Sequence, residues 1–308
     1  MKIKLLSLSA LLACLMVVYT ACKKDNSGSS GNTDYTSELS VQTDDQAQVN
    51  GEVDAVADDA NTAISSESSL SGKEQTLICD ATVTADTASD PRTITITYNG
   101  TNCHGNRTRT GTVVLSMPKS MHWKDAGATL TVTIQNLKIT RLRDNKTITI
   151  NGVKTITNVS GGLLADLATR GTITHTINSD GMTITFANGT QRSWKLAEQR
   201  TFTYNNGVVV TVTGTHTDGN NTGILVWGTN RLGNAFSCAI TDPLVARQDC
   251  DFRLVSGTMV HTRLGVTATV TYGLDANGSP VSCPSGSYYF KVVWVGLNGK
   301  SYTIILPY

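Results

Sequence analysis

Between residues 76 and 308 the side chains able to do chemistry are sparse and widely spaced. The five histidines, His104, His122, His175, His216 and His261, stand far apart. No H-E-x-x-H pair and no doubled C-x-x-C sets metal ligands at a workable spacing. His175 and His216 each sit in Thr-His-Thr and could meet across strands, but a hydrogen-bonded strand histidine explains each better. A serine hydrolase needs a G-x-S-x-G elbow and a nucleotide site needs a phosphate-cradling glycine loop; the sequence has neither. Neither a metal nor an organic cofactor is therefore expected.

Glycoside chemistry needs two carboxylates flanking one bond. Residues 76–308 contain a single glutamate, Glu198, and twelve aspartates. Many of those aspartates lie in turn-like contexts ("NSDGM", "HTDGNN", "LDANGS", "RDNK"), where Asp favours turn geometry. "DANGS" and "DGNNTG" are faintly like calcium loops, yet both lack the terminal bidentate acid. An accessory glycan-processing enzyme using aspartates is the alternative to a non-enzymatic role.

Arginine and tryptophan supply the remaining candidates. Trp227 in "ILVWG" and Trp294 in "VVWVG" read as core, while Trp194 in "TQRSWKL" shares a strand face with Arg192. Arg107 with Arg109, and Arg141 with Arg143, also sit two apart on a common face. Arg192, Trp194, Arg107 and Arg109 are thus the candidate ligand face, set against the plainer reading of a solvated sheet. An anionic sugar, a lipopolysaccharide or a protein could meet such a face; nucleic acid is not expected at net +7 over this many residues.

The elements that must position these groups are strands. From Leu77 onward, "TITITY", "ATLTVTIQ", "KTITI", "GTITHTI", "GMTITF", "GVVVTVTGT" and "TATVTY" alternate Thr with Ile or Val. Period-two alternation divided by "NG", "DG" and "DN" predicts about eighteen antiparallel strands with one apolar and one hydroxylated face. Residues 160–168 are the one break, a short helix or loop. The fold class expected is all-β, an antiparallel meander (sandwich or barrel-like) preceded by one short α-helix. A membrane pore is rejected: spanning strands need about 9–11 residues and aromatic girdles, whereas most strands here look shorter, aromatics are 6% of this chain and Pro307 interrupts the last strand.

That helix is expected over 43–64. Val49, Val53, Val56, Ala60 and Ile64 recur at three and four, and Thr43 with Gln46 fits a capping box. Gly51 inside it costs about 1 kcal/mol. Residues 22–75 carry 3 Lys/Arg against 11 Asp/Glu, a net of −8, whereas residues 76–308 carry 20 against 13, a net of +7. The apolar stripe is expected to dock on the β domain with its acids near basic residues, the ion pairs themselves being exposed and weak.

Upstream, Lys2 and Lys4 precede an apolar run from Leu5 to Val18, and Ala21 stands directly before Cys22. This is signal-peptide grammar ending at a lipidated cysteine, Cys22, in preference to Cys14 or to a retained membrane anchor. The expected organisation is a signal at 1–21, a Ser/Gly tether at 22–42 and an acidic helix with linker at 43–75. A first β half at 76–160 and a second at 171–308 follow. Five cysteines remain in the exported part, and disulfides are expected there.

The two halves share an order of parts. Each begins Cys-Asp, passes through T-x-T-[IV]-T-Y (Thr93–Tyr98 and Thr267–Tyr272), and closes on a cysteine after an Asn/Gly turn. That register proposes Cys79–Cys103 and Cys250–Cys283 as bridges, with Cys238 left outside them.

The Cys-Asp strand starts, "NCHGNRTRTG", "TITNVSGG", "TDPLVARQDC" and the tether "CKKDNSGSSGNTD" resemble a family of all-β Bacteroidota lipoproteins. The resemblance covers most of residues 40–308. It implies an acidic N-terminal helix, a Thr-rich β domain and a lipid anchor in the outer membrane with exposure at the cell surface. No activity comes with it.

Overall fold

The computed structural model describes residues 75–307 except 251, 264–265, 284–285, 296–298 and 300, together with Glu52, Ala55, Val56, Asp59, Ala60, Ala63 and Ile64. The expected signal, Cys14, Cys22, the tether and the start of the helix lie outside these residues. So do Val49 and Val53.

Among the described residues, sixteen antiparallel strands make one sheet. β1 (Gln75–Ile78), β2 (Ala81–Asp86), β3 (Arg92–Thr101), β4 (Arg107–Met117) and β5 (Ala128–Arg141) are successive neighbours. β6 (Lys146–Asn158), β7 (Thr172–Phe186) and β8 (Gln191–Tyr204) continue the order. β8 then borders two strands laid end to end. Its first half pairs with β11 (Asn221–Thr229) and its second with β9 (Val208–Gly214). β12 (Ala235–Arg247) flanks the same two strands from the far side, and β10 (His216–Asp218) folds back onto β11. β13 (Arg253–Arg263), β14 (Val266–Leu274), β15 (Tyr289–Val295) and β16 (Ser301–Pro307) complete a barrel-like closure.

The alternation in the sequence sets which face is buried. In β3, Ile94, Ile96 and Tyr98 are buried, while the threonines between them point the other way. Leu130, Val132 and Ile134 of β5 repeat the pattern. The inward side chains of nearly all strands belong to one apolar cluster, and threonines form ranks on the outer side. Hydroxyl pairs such as Thr129–Thr157 (3.2 Å) and Thr140–Thr147 (2.9 Å) link neighbouring strands there.

Among the described residues sixteen strands replace the eighteen expected, because some turn-like sequences are bulges, and for the same reason ten of the strands reach nine residues or more where shorter ones were expected. "NSDGM" lies inside β7 and "NG" (Asn151, Gly152) inside β6, where the pairing register shifts without the chain reversing. At Asn136 (φ 48°) β5 has an extra residue opposite Gly111 of β4 (φ 120°). A Cβ on Gly111 would lie 2.4 Å from the Asn136 carbonyl oxygen, so this close approach requires glycine. Each bulge resets the two-residue alternation, which returns Leu137 and Met182 to the buried face and bends the sheet.

The seven described residues of the N-terminal segment are helical, at the spacing one helix face demands. Val56, Ala60 and Ala63 are buried in the same cluster as Ile94, Ile96 and Leu115, and Ile64 packs at its edge. The helix therefore lies on the inner face of β3, β4 and β5. The break at 160–168 is a 3-10 turn, Leu164–Asp166, running into a single helical turn, Leu167–Arg170.

Candidate functional site

Arg107 and Arg109 project from β4 toward the docked helix, and neither forms an open ligand surface. Arg109 is buried and donates from Nε and Nη2 to both carboxylate oxygens of Asp80, each at 2.6 Å. Its Nη1 donates to Asp59 at 2.6 Å, and Tyr98 donates to the same carboxylate at 2.8 Å. The guanidinium also lies 4.4 Å from the Tyr98 ring centroid. Arg107 pairs with buried Glu52 at 2.7 Å. Burial pushes the carboxyls of Glu52 and Asp59 above the usual range, against the pull of Arg107 and Arg109 respectively. The expected ion pairs between helix and domain are present, but buried rather than exposed. Arg141 and Arg143 do not share a strand face: β5 ends at Arg141, and both arginines turn to Asp144.

Arg192 and Trp194 are likewise inward. They are 1% and 2% exposed, while Gln191, Ser193 and Lys195, which alternate with them, face solvent. The shared face was legible; its direction was not, because an arginine seldom marks a core face. Here the Arg192 guanidinium lies 4.5 Å from the Phe236 ring centroid, a cation–π contact that makes burial tolerable. The proposed four-residue ligand face is thus corrected to two separate interior positions, on β4 and on β8.

The β8 position adjoins a cluster that the sequence did not single out as a site. Along one register row, Leu196 of β8, Val226 of β11, Cys238 of β12, His261 of β13, Ala268 of β14 and Trp294 of β15 follow each other. Cys238 Sγ and His261 Nε2 are 3.6 Å apart. In the adjacent row Phe236 pairs with Arg263 of β13, and the Arg192 guanidinium of β8 lies over the Phe236 ring. Cys238 is 6% exposed and His261 half-buried. A thiol beside an imidazole is the arrangement here with the most chemical capacity. The period-two alternation put Phe236 and Cys238 on one face, but only the register brings His261 opposite.

The other histidines do not meet. His175 is buried between Trp123 (5.2 Å) and Phe202 (5.0 Å), and burial with the charge of Arg200 pulls it down to about 4. His216 stacks on Trp227 at 3.8 Å. Trp227 is half-buried opposite exposed Lys195, and so is not the core residue expected, whereas Trp294 does pack against the core.

Both expected disulfides form. Cys79–Cys103 brackets β2 and β3, and Cys250–Cys283 brackets β13 and β14, so the sequence repeat corresponds to two clasped hairpins. Asp249, Cys250 and Cys283 are the one metal-sized cluster among the described residues, but both sulfurs are used in the bridge. Turn aspartates bind backbone as expected: Asp275 accepts from the N–H groups of Asn277 and Ser279, and Asp86 from those of Ala88 and Ser89. Among the described residues no helix is long and apolar enough to cross a membrane. Comparison with protein-family models, curated proteins and solved structures found no match.

Proposed function

We propose that the chain is an exported lipoprotein, anchored in the outer membrane through Cys22, with a non-enzymatic binding or structural role. The observation that carries the role is the distribution of side chains across the sheet. Apolar residues fill the inside and threonines coat the outside, the reverse of a barrel whose lipid-facing side must be apolar. The inward charges on β4 hold the chain's own helix. What is offered outward is hydroxyls, amides and the half-buried Trp227–His216 stack beside Lys195.

The export half of the reading rests on the signal grammar before Cys22 and on two bridges, which persist in oxidising compartments. A glycan or a protein, preferably anionic, is the ligand class proposed for the outer face. A glycan array run beside a hydrolase screen separates the two functions. Retention of an acidic glycan without turnover, lost in Trp227→Ala, supports binding. Turnover abolished by an aspartate substitution moves the protein to the glycan-processing alternative.

A further inference from the structure

We propose that the end of the sheet at which the N-terminal helix enters docks on a bilayer surface of anionic phospholipid, with Leu142 and Leu232 dipping into the headgroup region. The inference extends the lipid-anchored reading by saying which end of the domain meets the membrane.

In an antiparallel order of strands every second turn falls at the same end of the sheet. The register puts turns 102–106, 142–145, 187–190 and 230–234 together at one such end. Contacts between neighbours join them into a rim: the Leu142 N–H donates to the Asn106 carbonyl, and Arg231 lies 4.9 Å from the Phe186 ring centroid. Two of these turns carry a leucine beside arginine, Arg141-Leu142-Arg143 and Arg231-Leu232. Leu142 is 42% exposed, Leu232 48% and the Arg143 side chain 72%. Val295 and Tyr302, at the facing ends of β15 and β16, add exposed apolar surface to the same rim.

Exposed apolar residues alone do not choose between the ends, since Val159, Leu163 and Tyr204 are exposed at the opposite one. Charge does. The described turn and strand-terminal residues of the rim include six bases, Arg107, Arg141, Arg143, Lys146, Arg231 and Arg263, against two acids, Asp80 and Asp144, a net of +4. At the opposite end six acids, Asp86, Asp90, Asp125, Asp166, Asp249 and Asp275, balance as many bases. The attraction needs no unpartnered base, because an anionic surface feels the summed charge. The helix adds direction. Glu52 pairs with Arg107 at the rim, whereas Ile64 shares a small recess with Arg92 and Met117 at the far end. Residues 22–51 therefore lead from Cys22 to the rim, and a lipid on Cys22 would hold the rim at high effective concentration over the bilayer. Apolar tips among basic residues suit the headgroup–acyl boundary of an anionic membrane.

The test uses the full chain reconstituted in vesicles of phosphatidylethanolamine and phosphatidylglycerol, part of the lipid carrying brominated acyl chains. A tryptophan is added at one rim turn at a time, Leu142→Trp or Leu232→Trp, and at the opposite end, Leu163→Trp. Fluorescence in excess of the wild type reports the added ring. Bromolipid should quench the two rim variants at least about twofold more than Leu163→Trp, as insertion to about 5–10 Å requires. Exchanging phosphatidylglycerol for phosphatidylcholine should reduce the rim quenching, and so should Arg143→Ser in the Leu142→Trp background. Two turns are probed so that a variant that misfolds leaves the other to decide. Equal quenching at both ends, quenching indifferent to lipid charge, or a chain that does not float with the vesicles would each overturn the proposal. A vesicle-free dimer broken by Leu232→Ser would put a second copy on the rim and overturn it as well. Rim quenching without a lipid on Cys22 would support the docking while refuting the anchor, so the two failures are distinguishable.

Discussion

Arg109 is the point where the helix, the β1–β2 turn and β4 are locked together, and its removal should be among the costliest single changes in the chain. Arg109→Met keeps an apolar stem of similar length but withdraws the guanidinium. Asp80, 4% exposed, then loses two charged hydrogen bonds of 2.6 Å, and Asp59 loses one. Leaving a buried carboxylate without its partner costs about 3–5 kcal/mol. At about 2–4 °C per kcal/mol for a domain of this size, the melting temperature should fall by about 6–20 °C. Circular dichroism melts measure this directly. The double variant Arg109→Met/Asp80→Asn distinguishes the cause: neutralising the orphaned carboxylate should recover a clear part of the loss. Arg143→Met, at an exposed arginine 3.9 Å from Asp144, should stay within about 0.5 kcal/mol of wild type. A melting temperature for Arg109→Met within 2 °C of wild type, allowing about 0.5 kcal/mol, would refute the reasoning. So would a double variant no better than the single one.

His175, held near 4 by burial against a usual 6.5, binds its proton less readily folded than unfolded. Its contribution to stability is whole above about 6.5 and is lost as pH falls from there to 4. The full effect is about 3 kcal/mol; urea titrations across that window should show a shallower slope in His175→Phe, and an unchanged slope would count against the assignment. Val56→Asp should abolish hydrogen-exchange protection at Ala60, Ala63 and Ile64 while the β-sheet amides stay protected; persistence of helix protection would show that its docking does not depend on the apolar stripe. Non-reducing peptide mapping should return Cys79–Cys103 and Cys250–Cys283, and replacing either bridge by serines should cost about 2–4 kcal/mol. A Cys238–Cys250 peptide would break both the pairing and the repeat.

Alternation carries most of what the sequence reveals about the fold. "TITITY" becomes β3 with its isoleucines inward, and the spacing of Val56 and Ala60 becomes the buried face of a helix. The cysteine register foretells the two bridges because rare residues recur in order within each half. Local pattern runs out where non-local pairing decides. "NSDGM" has turn composition but sits in a continuous strand, since bulges and turns draw on the same residues. The inward direction of Arg192 depends on Phe236, 44 positions away, lying beneath its guanidinium. His261 becomes the partner of Cys238 only through the β12–β13 register, which no spacing within either strand encodes.

The central claim is a lipid on Cys22. Metabolic labelling of cells with an alkyne fatty acid, followed by click detection of the immunoprecipitated protein, tests it most directly. Label should be present in wild type and in Cys14→Ser, and absent in Cys22→Ser. Label surviving Cys22→Ser, or lost only in Cys14→Ser, would contradict the account.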